Sequence, residues 1–283
     1  MGRCAVYGSL PMSLLACGGS DARSPPGIHG GESSLGQASA SPGTSVEAGA
    51  SAAATSGAGS GAGTGMALEA GADYGTSYSG QYNLGPVDWQ ESQWHNACAP
   101  YPSSVQAEEG SLLAGLNTQH IDGGRLCDAC VRIQATNGKS VVARVVTYGS
   151  TGPNDIDVSA DVCTALAGTA DCNVFPRNMT WQFAECPDSG AIQYQFQTQA
   201  SIWWTSFWVR NERIALAKVE VKSQNHAIWT ALSWGTDGTL TDAGGFGTGP
   251  FTIRLTATDG QQVTDTFPSF NAGDLLTSSG QFQ

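Results

Sequence analysis

The chain has 283 residues, of which only 13% are charged, and it carries a formal net charge of −12 from 24 acidic and 12 basic side chains. This sparse, acidic composition provides no positive surface for a polyanion, so it excludes nucleic acid as an expected partner and disfavours acidic polysaccharides. No apolar run reaches the roughly 18 residues that span a bilayer, so the only membrane contact we expect is through a lipid anchor.

Residues 1–17 are predicted to be an export signal of the lipoprotein type. Arg3 precedes a mildly apolar stretch that ends in Leu15-Ala16-Cys17, and the chain then changes abruptly to Gly18-Gly19-Ser20. A small residue followed by a cysteine and small polar residues is typical of a signal that is removed before a lipidated cysteine. We therefore expect a secreted or cell-surface protein that is anchored to the outer membrane through Cys17, with plain secretion as the alternative.

Residues 18–76 are predicted to be a disordered linker. Gly, Ala, Ser and Thr dominate this segment, and its first aromatic residue is Tyr74. Such a sequence cannot bury enough apolar surface to offset its conformational entropy. It is expected to act as a flexible tether between the anchor and the folded part of the chain.

Six of the eight cysteines lie in the next segment, residues 77–186. They are Cys98, Cys127, Cys130, Cys163, Cys172 and Cys186. An even number in an exported chain predicts up to three disulfides, whose pairing the sequence leaves open. Cys127 and Cys130 also have the spacing of a zinc ribbon or a redox motif, but zinc requires a second close pair, and the four histidines show no ligand spacing. We therefore predict no metal and no cofactor.

Residues 77–186 are also predicted to be mostly strand. Val141–Tyr148 is a β-branched run, and Ser159 can cap a short helix that Gly168 ends. A closed barrel with one or two small helices fits this pattern.

Residues 187–283 alternate between apolar and polar side chains with a period of two. Ile192, Tyr194 and Phe196 alternate with glutamines, and Phe251–Ala257 alternates in the same way before a turn at Asp259-Gly260. About a hundred residues of half-buried strands with turns between them predict a small antiparallel β-sandwich.

Several segments of the chain resemble motifs of one known protein family. The run Cys127-Asp128-Ala129-Cys130 resembles the C-G-A-C motif of expansins and of the related family-45 endoglucanases, with Asp128 in place of glycine. Residues 155–159 resemble the L-D-L-S motif at the expansin groove. Residues 202–211 and 247–268 resemble two segments of the second domain of bacterial expansins. The resemblance covers about residues 78–270.

This resemblance implies an all-β fold, in which a six-stranded double-psi β-barrel is followed by an immunoglobulin-like β-sandwich that binds carbohydrate. Expansins loosen contacts between wall polysaccharides without hydrolysing them, and the two domains together form one open surface. We therefore expect cellulose or a related β-glucan as the partner of this chain, and a monomer as its working state.

The tryptophans of the sandwich agree with such a partner. Neighbouring residues on a strand point to opposite faces, so Trp203 and Trp204 cannot both lie in the core of a regular strand. Exposed indole rings are suited to stacking on flat sugar faces. Trp234 and Trp208 are further candidates for the same surface, whereas Trp229 is expected in the core.

The barrel groove that the resemblance implies contains few acids. Asp157 and Tyr148 match its Asp and its Tyr, but the second Asp falls on Val146 or Thr147. The groove's Thr falls on Gln81, next to Tyr82. Its candidate residues are therefore Asp157, Tyr148, Thr147, Gln81 and Tyr82.

Glycoside cleavage requires two carboxyl groups, so these groove residues predict a protein that is not an enzyme. Asp155 could supply a second carboxylate only if the chain is extended there. Asp157 is alternatively a turn residue before the helix capped by Ser159.

Two alternatives to a cellulose-binding protein remain open from the sequence. One is a glycoside hydrolase or an RlpA-like lytic enzyme, because related barrels occur in such lipoproteins. The other is a surface adhesin with no specific sugar.

Overall fold

The computed structural model describes residues 72–92, 95–173, 176–187 and 190–283. The predicted export signal, Cys17 and the linker up to residue 71 lie outside these residues. Over the described ranges, no helix has the length and apolar character needed to cross a membrane.

Six strands close into a β-barrel. They are β1 (Asp73–Leu84), β2 (Leu113–Asn117), β3 (Cys130–Ala135), β4 (Ser140–Gly149), β5 (Ile156–Val158) and β6 (Asn178–Ala184). Their order around the barrel is β1-β5-β2-β4-β3-β6. Strands β1 and β5 are parallel, as are β2 and β4, whereas the other neighbours are antiparallel. Because β1 begins at Asp73, residues 73–76 lie in the barrel and not in the predicted linker.

Two short helices accompany the barrel, α1 (Ser103–Glu109) and α2 (Ala160–Ala167). The hydroxyl of Ser159 accepts a hydrogen bond from the backbone of Val162, and Gly168 ends α2 with φ of 81°. The predicted cap and stop of this helix are therefore confirmed.

All six cysteines of the barrel segment form disulfides. The pairs are Cys98–Cys127, Cys130–Cys186 and Cys163–Cys172. The predicted disulfides are therefore confirmed, and the structure supplies their pairing. Cys127 and Cys130 belong to different pairs, so neither is free to bind zinc or to form a redox pair with the other.

The following residues form two facing antiparallel sheets. One has the order β10-β9-β13-β14 and the other the order β11-β12-β8-β7-β15. The strands are β7 (Gln193–Phe196), β8 (Thr205–Arg210), β9 (Leu216–Ser223), β10 (His226–Ala231), β11 (Ser233–Trp234), β12 (Leu240–Asp242), β13 (Phe251–Ala257), β14 (Gln262–Phe267) and β15 (Leu275–Thr277). The predicted all-β class, a barrel followed by a sandwich, is confirmed.

The core of the sandwich comes from the predicted alternation. Tyr194, Phe196 and Phe207 are buried with the inward residues of β13. The opposite face of the five-stranded sheet is also buried, since Trp208 is 5% and Arg210 is 1% exposed. Arg210 donates hydrogen bonds to the carbonyl groups of Cys98 and Pro100. The barrel segment therefore covers part of this outer face.

Candidate functional site

A tight loop before β8 presents two indole rings to solvent. Trp203 is 69% and Trp204 is 37% exposed. The backbones of Ser201 and Trp204 bond to each other, and the Ser201 hydroxyl accepts hydrogen bonds from the backbone N–H groups of both tryptophans. The sequence predicted that at least one of the two would be exposed. Both are exposed, because they lie in a turn and not in the alternating part of the strand.

The loop of residues 245–247 forms hydrogen bonds with this turn. The Thr205 hydroxyl accepts a hydrogen bond from the backbone of Phe246 at 3.1 Å, and the Ile202 carbonyl accepts one from Gly247 at 2.9 Å. Gly245 has φ of 67°, and a Cβ atom there would lie 2.3 Å from the Ile202 carbonyl oxygen. The close approach therefore requires glycine. These contacts hold the indole-bearing turn in one conformation before any ligand arrives.

The other three tryptophans of the sandwich lie elsewhere. Trp208 is buried on the face of β8 that the barrel covers, so it is not part of the exposed indole surface. Trp234 is half-buried, pairs with Leu240 and packs against the core between the sheets. Trp229 was expected in the core but is half-buried outside it, with the guanidinium of Arg254 4.2 Å from its ring centre.

The barrel groove is built around Asp157 in β5. A Cβ atom on Gly115 would lie 2.7 Å from the Thr147 methyl carbon and 3.7 Å from the Asp157 Cβ, so these two residues flank this glycine. Val146 is fully buried in the barrel core. Of the two positions considered for the missing second carboxylate, the groove-side one is therefore Thr147, which cannot supply it.

The surroundings of Asp157 favour its protonated form. The carboxyl is half-buried, and the Thr151 hydroxyl donates a hydrogen bond to it at 3.4 Å. Burial raises the pKa of Asp157, the hydrogen bond from Thr151 opposes this rise, and the charge of Asp155 adds to it. Asp155 itself precedes β5 and accepts a hydrogen bond from the Gln81 backbone at 2.8 Å. Asp155 is thus hydrogen-bonded to β1, and its charge also acts on Asp157.

Two of the predicted groove residues, Tyr82 and Gln81, have contacts with other parts of the barrel. Tyr82 is 1% exposed and lies in the barrel core. Gln81 is exposed, and its side chain contacts Asn178 on β6. The residue of β1 that aligns with Asp157 in the barrel is Asn83. Sequence reasoning missed Asn83, because the register between strands more than 70 residues apart has no local signal.

The groove ends where the barrel meets the sandwich. The half-buried Tyr148 donates a hydrogen bond through its hydroxyl to the Thr236 carbonyl at 2.8 Å. The indole N–H of Trp208 donates to the adjacent carbonyl of Asp237 at 3.2 Å. The turn of residues 235–238 is therefore held from both sides, by the groove and by the sheet.

A buried charged cluster lies deeper in the same junction. Asp128, Arg144 and Glu212 are each at most 3% exposed. Burial raises the pKa of Glu212 well above its ordinary value, and the neighbouring charge of Asp128 adds to this. Burial acts in the same direction on Asp128, but Arg144 and Arg210 outweigh it and lower the pKa of Asp128. The pKa values of the two carboxyls therefore shift in opposite directions, which favours the proton on Glu212 over Asp128.

Within the described part of the chain, no group of three or more His, Cys, Asp or Glu side chains is arranged to hold a metal ion. The groups that the structure places at the site are the exposed indoles of Trp203 and Trp204 and the half-buried carboxyl of Asp157, whose pKa burial raises.

Comparisons with known proteins agree with this architecture. No protein-family model matches the chain. The chain is 22% identical over 184 residues to Expansin-YoaJ of Bacillus subtilis, which covers 60% of this chain and 69% of that protein. It is 18% identical over 201 residues to expansin-like protein 6 of Dictyostelium discoideum, with 69% of each covered.

Solved structures show the same likeness in fold. The apo form of an expansin from Clavibacter michiganensis has a TM-score of 0.62 at 16% identity, with 74% of this chain and 98% of that chain covered. A mutant of the Clavibacter protein in complex with cellohexaose has a TM-score of 0.61 at 15% identity. The resemblance to bacterial expansins is confirmed in sequence and in fold.

Proposed function

We propose that this chain, which shares the fold of bacterial expansins, binds cellulose or a related β-glucan outside the cell and does not hydrolyse it. The observation that carries the proposal is the exposure of Trp203 and Trp204 on a turn that is rigidly supported. The complex of the similar Clavibacter protein with cellohexaose supports the choice of a glucan.

The physical basis of binding is stacking of indole rings on sugar faces. A flat glucan surface presents C–H groups, and aromatic rings held outside the fold lie against them without first losing conformational freedom. A soluble protein seldom leaves two adjacent tryptophans in water without a partner. Trp203 and Trp204 are thus the proposed carbohydrate-binding residues, and the half-buried Trp234 lies two strands away in the same sheet.

The groove argues against bond cleavage. Two-carboxylate hydrolysis needs an acid and a base on either side of the bond. Asp157 with its raised pKa suits the acid, but Thr147 flanks it and Asp155 is engaged with β1. We propose that the groove, with Asp157, Tyr148 and Asn83, takes up part of a glucan chain, so that binding energy alone loosens contacts between polysaccharides.

The proposed organisation places the barrel at residues 77–186, extended by the start of β1, and the sandwich at residues 187–283. Export through the signal at residues 1–17, lipidation of Cys17 and a monomeric state are part of the same proposal. Together they describe a cell-surface protein whose binding domains reach the polysaccharide on a tether.

The test is retention on microcrystalline cellulose. Replacing both indoles, Trp203→Ala with Trp204→Ala, is expected to weaken binding by at least about tenfold. Tryptophans that become buried when a ligand binds contribute most of the binding energy of a binding surface. Trp229→Ala is the matched control, since Trp229 lies on the other sheet against Arg254. Asp157→Asn is expected to leave retention intact.

Two results would overturn the proposal. Unchanged retention of the double tryptophan variant on every polysaccharide would favour an adhesin with no specific sugar. Release of reducing ends or anhydro-sugars that disappears in Asp157→Asn would instead favour a hydrolase or a lytic enzyme.

A further inference from the structure

A cleft of about 340 Å³ lies between the outer face of the five-stranded sheet and the barrel segment. We propose that this cleft is a glucan subsite in which amide side chains bind the hydroxyl groups of a chain that continues past Trp203 and Trp204. The inference rests on the function proposed above and extends it. The lining includes Pro100, Gln195, Gln197, Gln199, Trp208 and Asp237.

The glutamines of β7 and those that follow it differ in their side-chain hydrogen bonds. The Gln193 side chain donates a hydrogen bond to Glu108, and the Gln195 side chain accepts one from Arg210. Gln197 and Gln199 come next, and their side chains make no hydrogen bond to any residue that the structure describes. Two amides that line a cleft, each with a donor and an acceptor, are therefore open to a ligand.

The buried indole of Trp208 forms an apolar part of the same cleft. It stands opposite Gln195 in the sheet, and its N–H is already bonded to the Asp237 carbonyl. The ring is therefore fixed in position and presents carbon atoms beside the amides. Apolar surface with a few polar groups at fixed positions is the usual composition of a small-ligand site.

The position of the cleft connects the two parts of the proposed binding surface. Ser206 pairs with Gln197 and follows Trp204 by two residues. At the other end, the turn of residues 235–238 separates the cleft from Tyr148 in the barrel groove. The cleft therefore borders the start of β8 on one side and the turn next to the groove on the other, as a subsite between the indoles and the groove requires.

The lining selects a neutral polyhydroxyl ligand over other polymers. Carboxylates of Glu91 and Asp237 lie at the same cleft and repel a uronate chain. An added peptide strand would need free backbone groups, but the Gln197 N–H is bonded to the Ser206 carbonyl at 2.9 Å. The uncharged amides, in contrast, match sugar hydroxyls in both donating and accepting.

The experiment compares a short and a long soluble ligand by calorimetry. For the full chain, cellohexaose is expected to bind more tightly than cellotriose, because only the longer ligand reaches the cleft. In Gln197→Ala with Gln199→Ala, the affinity for cellohexaose is expected to fall roughly fivefold, while the affinity for cellotriose changes less than about twofold. Gln262→Ala, an exposed glutamine on the other sheet, is the matched control.

A second measurement covers the case in which the double variant does not fold. In the unaltered protein, the side-chain amide NMR signals of Gln197 and Gln199 are expected to shift on addition of cellohexaose, whereas that of Gln262 does not. Equal affinities for the two ligands, or unshifted signals of Gln197 and Gln199 under saturating cellohexaose, would overturn the subsite and leave the indole proposal standing. Failure of both ligands and of cellulose to bind would overturn the proposed function itself.

Discussion

Asp128 carries a carboxylate at a backbone position that suits glycine. Its φ is 73°, in the left-handed region, and the similar expansin motif has glycine there. The carboxylate accepts a hydrogen bond from the Asn211 backbone at 3.1 Å and lies 3.3 Å from Arg144. One residue thus links the barrel to the end of β8, at the expense of some backbone strain.

Beside Asp128, the raised pKa of Glu212 gives the stability of the protein a specific pH dependence. The pKa of Glu212 is raised in the folded state, so its contribution is fully present below its ordinary pKa of 4.5 and is lost as the pH rises from there. Asp128 has a lowered pKa, so its contribution is lost only as the pH falls below about 3.8. The interval above pH 4.5 therefore reports on Glu212 and not on Asp128.

Glu212→Gln is expected to remove most of this loss. The amide keeps the shape of the protonated acid, so the variant should exceed the original protein in unfolding free energy at pH 8 by on the order of 2 kcal/mol, with little difference at pH 4. Urea denaturation at the two pH values measures it. Glu91→Gln, at an exposed carboxylate, is the control, and an equal gain in that variant would refute the assignment to Glu212.

At the scale of elements, the three disulfides constrain very different lengths of chain. Cys130–Cys186 ties β3 to the segment between the barrel and the sandwich, with a sequence separation of 56. Cys163–Cys172 joins α2 to the segment that follows it, with a separation of 9. A longer closed loop removes more conformational entropy from the unfolded chain.

Replacing both cysteines of either disulfide by alanine is therefore expected to lower the free energy of unfolding by different amounts. Chain-entropy arithmetic gives about 4 kcal/mol for loss of Cys130–Cys186 and about 2.5 kcal/mol for loss of Cys163–Cys172. Urea unfolding of the two double variants measures both values. A larger loss from the Cys163–Cys172 pair would contradict the ranking.

Strands and the presence of disulfides could be predicted from the sequence, whereas disulfide pairing and strand register could not. The alternation of Tyr194 and Phe196 with glutamines predicts β7, because burial of one face leaves a period of two. The even number of cysteines predicts disulfides, but pairing depends on which strands the barrel brings together. The register between strands cannot be predicted for the same reason, so the sequence did not identify Asn83 as the residue of β1 that aligns with Asp157. The exposure of Trp203 and Trp204 was partly predictable because their adjacency in a strand is incompatible with joint burial.

For the whole molecule, the least predictable feature is the contact between barrel and sandwich. The sequence predicts an exposed Trp208, because β8 places this residue on the outer face of its sheet. Only docking of the barrel segment buries it, and no periodicity in either sequence segment encodes that docking. Arg210 stands at the centre of the contact, with its guanidinium 3.7 Å from the centre of the Tyr101 ring.

Arg210→Ala is expected to uncouple the two parts. The change leaves the carbonyl groups of Cys98 and Pro100 without their donor and removes a positive charge near Asp128, at a cost of about 3–5 kcal/mol. Scanning calorimetry is expected to show one transition for the original protein and two for the variant. Arg254→Ala, on the opposite sheet, is the control, and a single transition in both variants would show that Arg210 does not couple them.

The turn of residues 235–238 belongs to the sandwich in sequence but forms part of the rim of the barrel groove through Tyr148. Because the acceptor is a main-chain carbonyl, a sandwich from a relative would preserve this hydrogen bond wherever its turn follows the same backbone path. The junction at this rim therefore depends on the path of the turn and on Tyr148, and not on the side chain of Thr236.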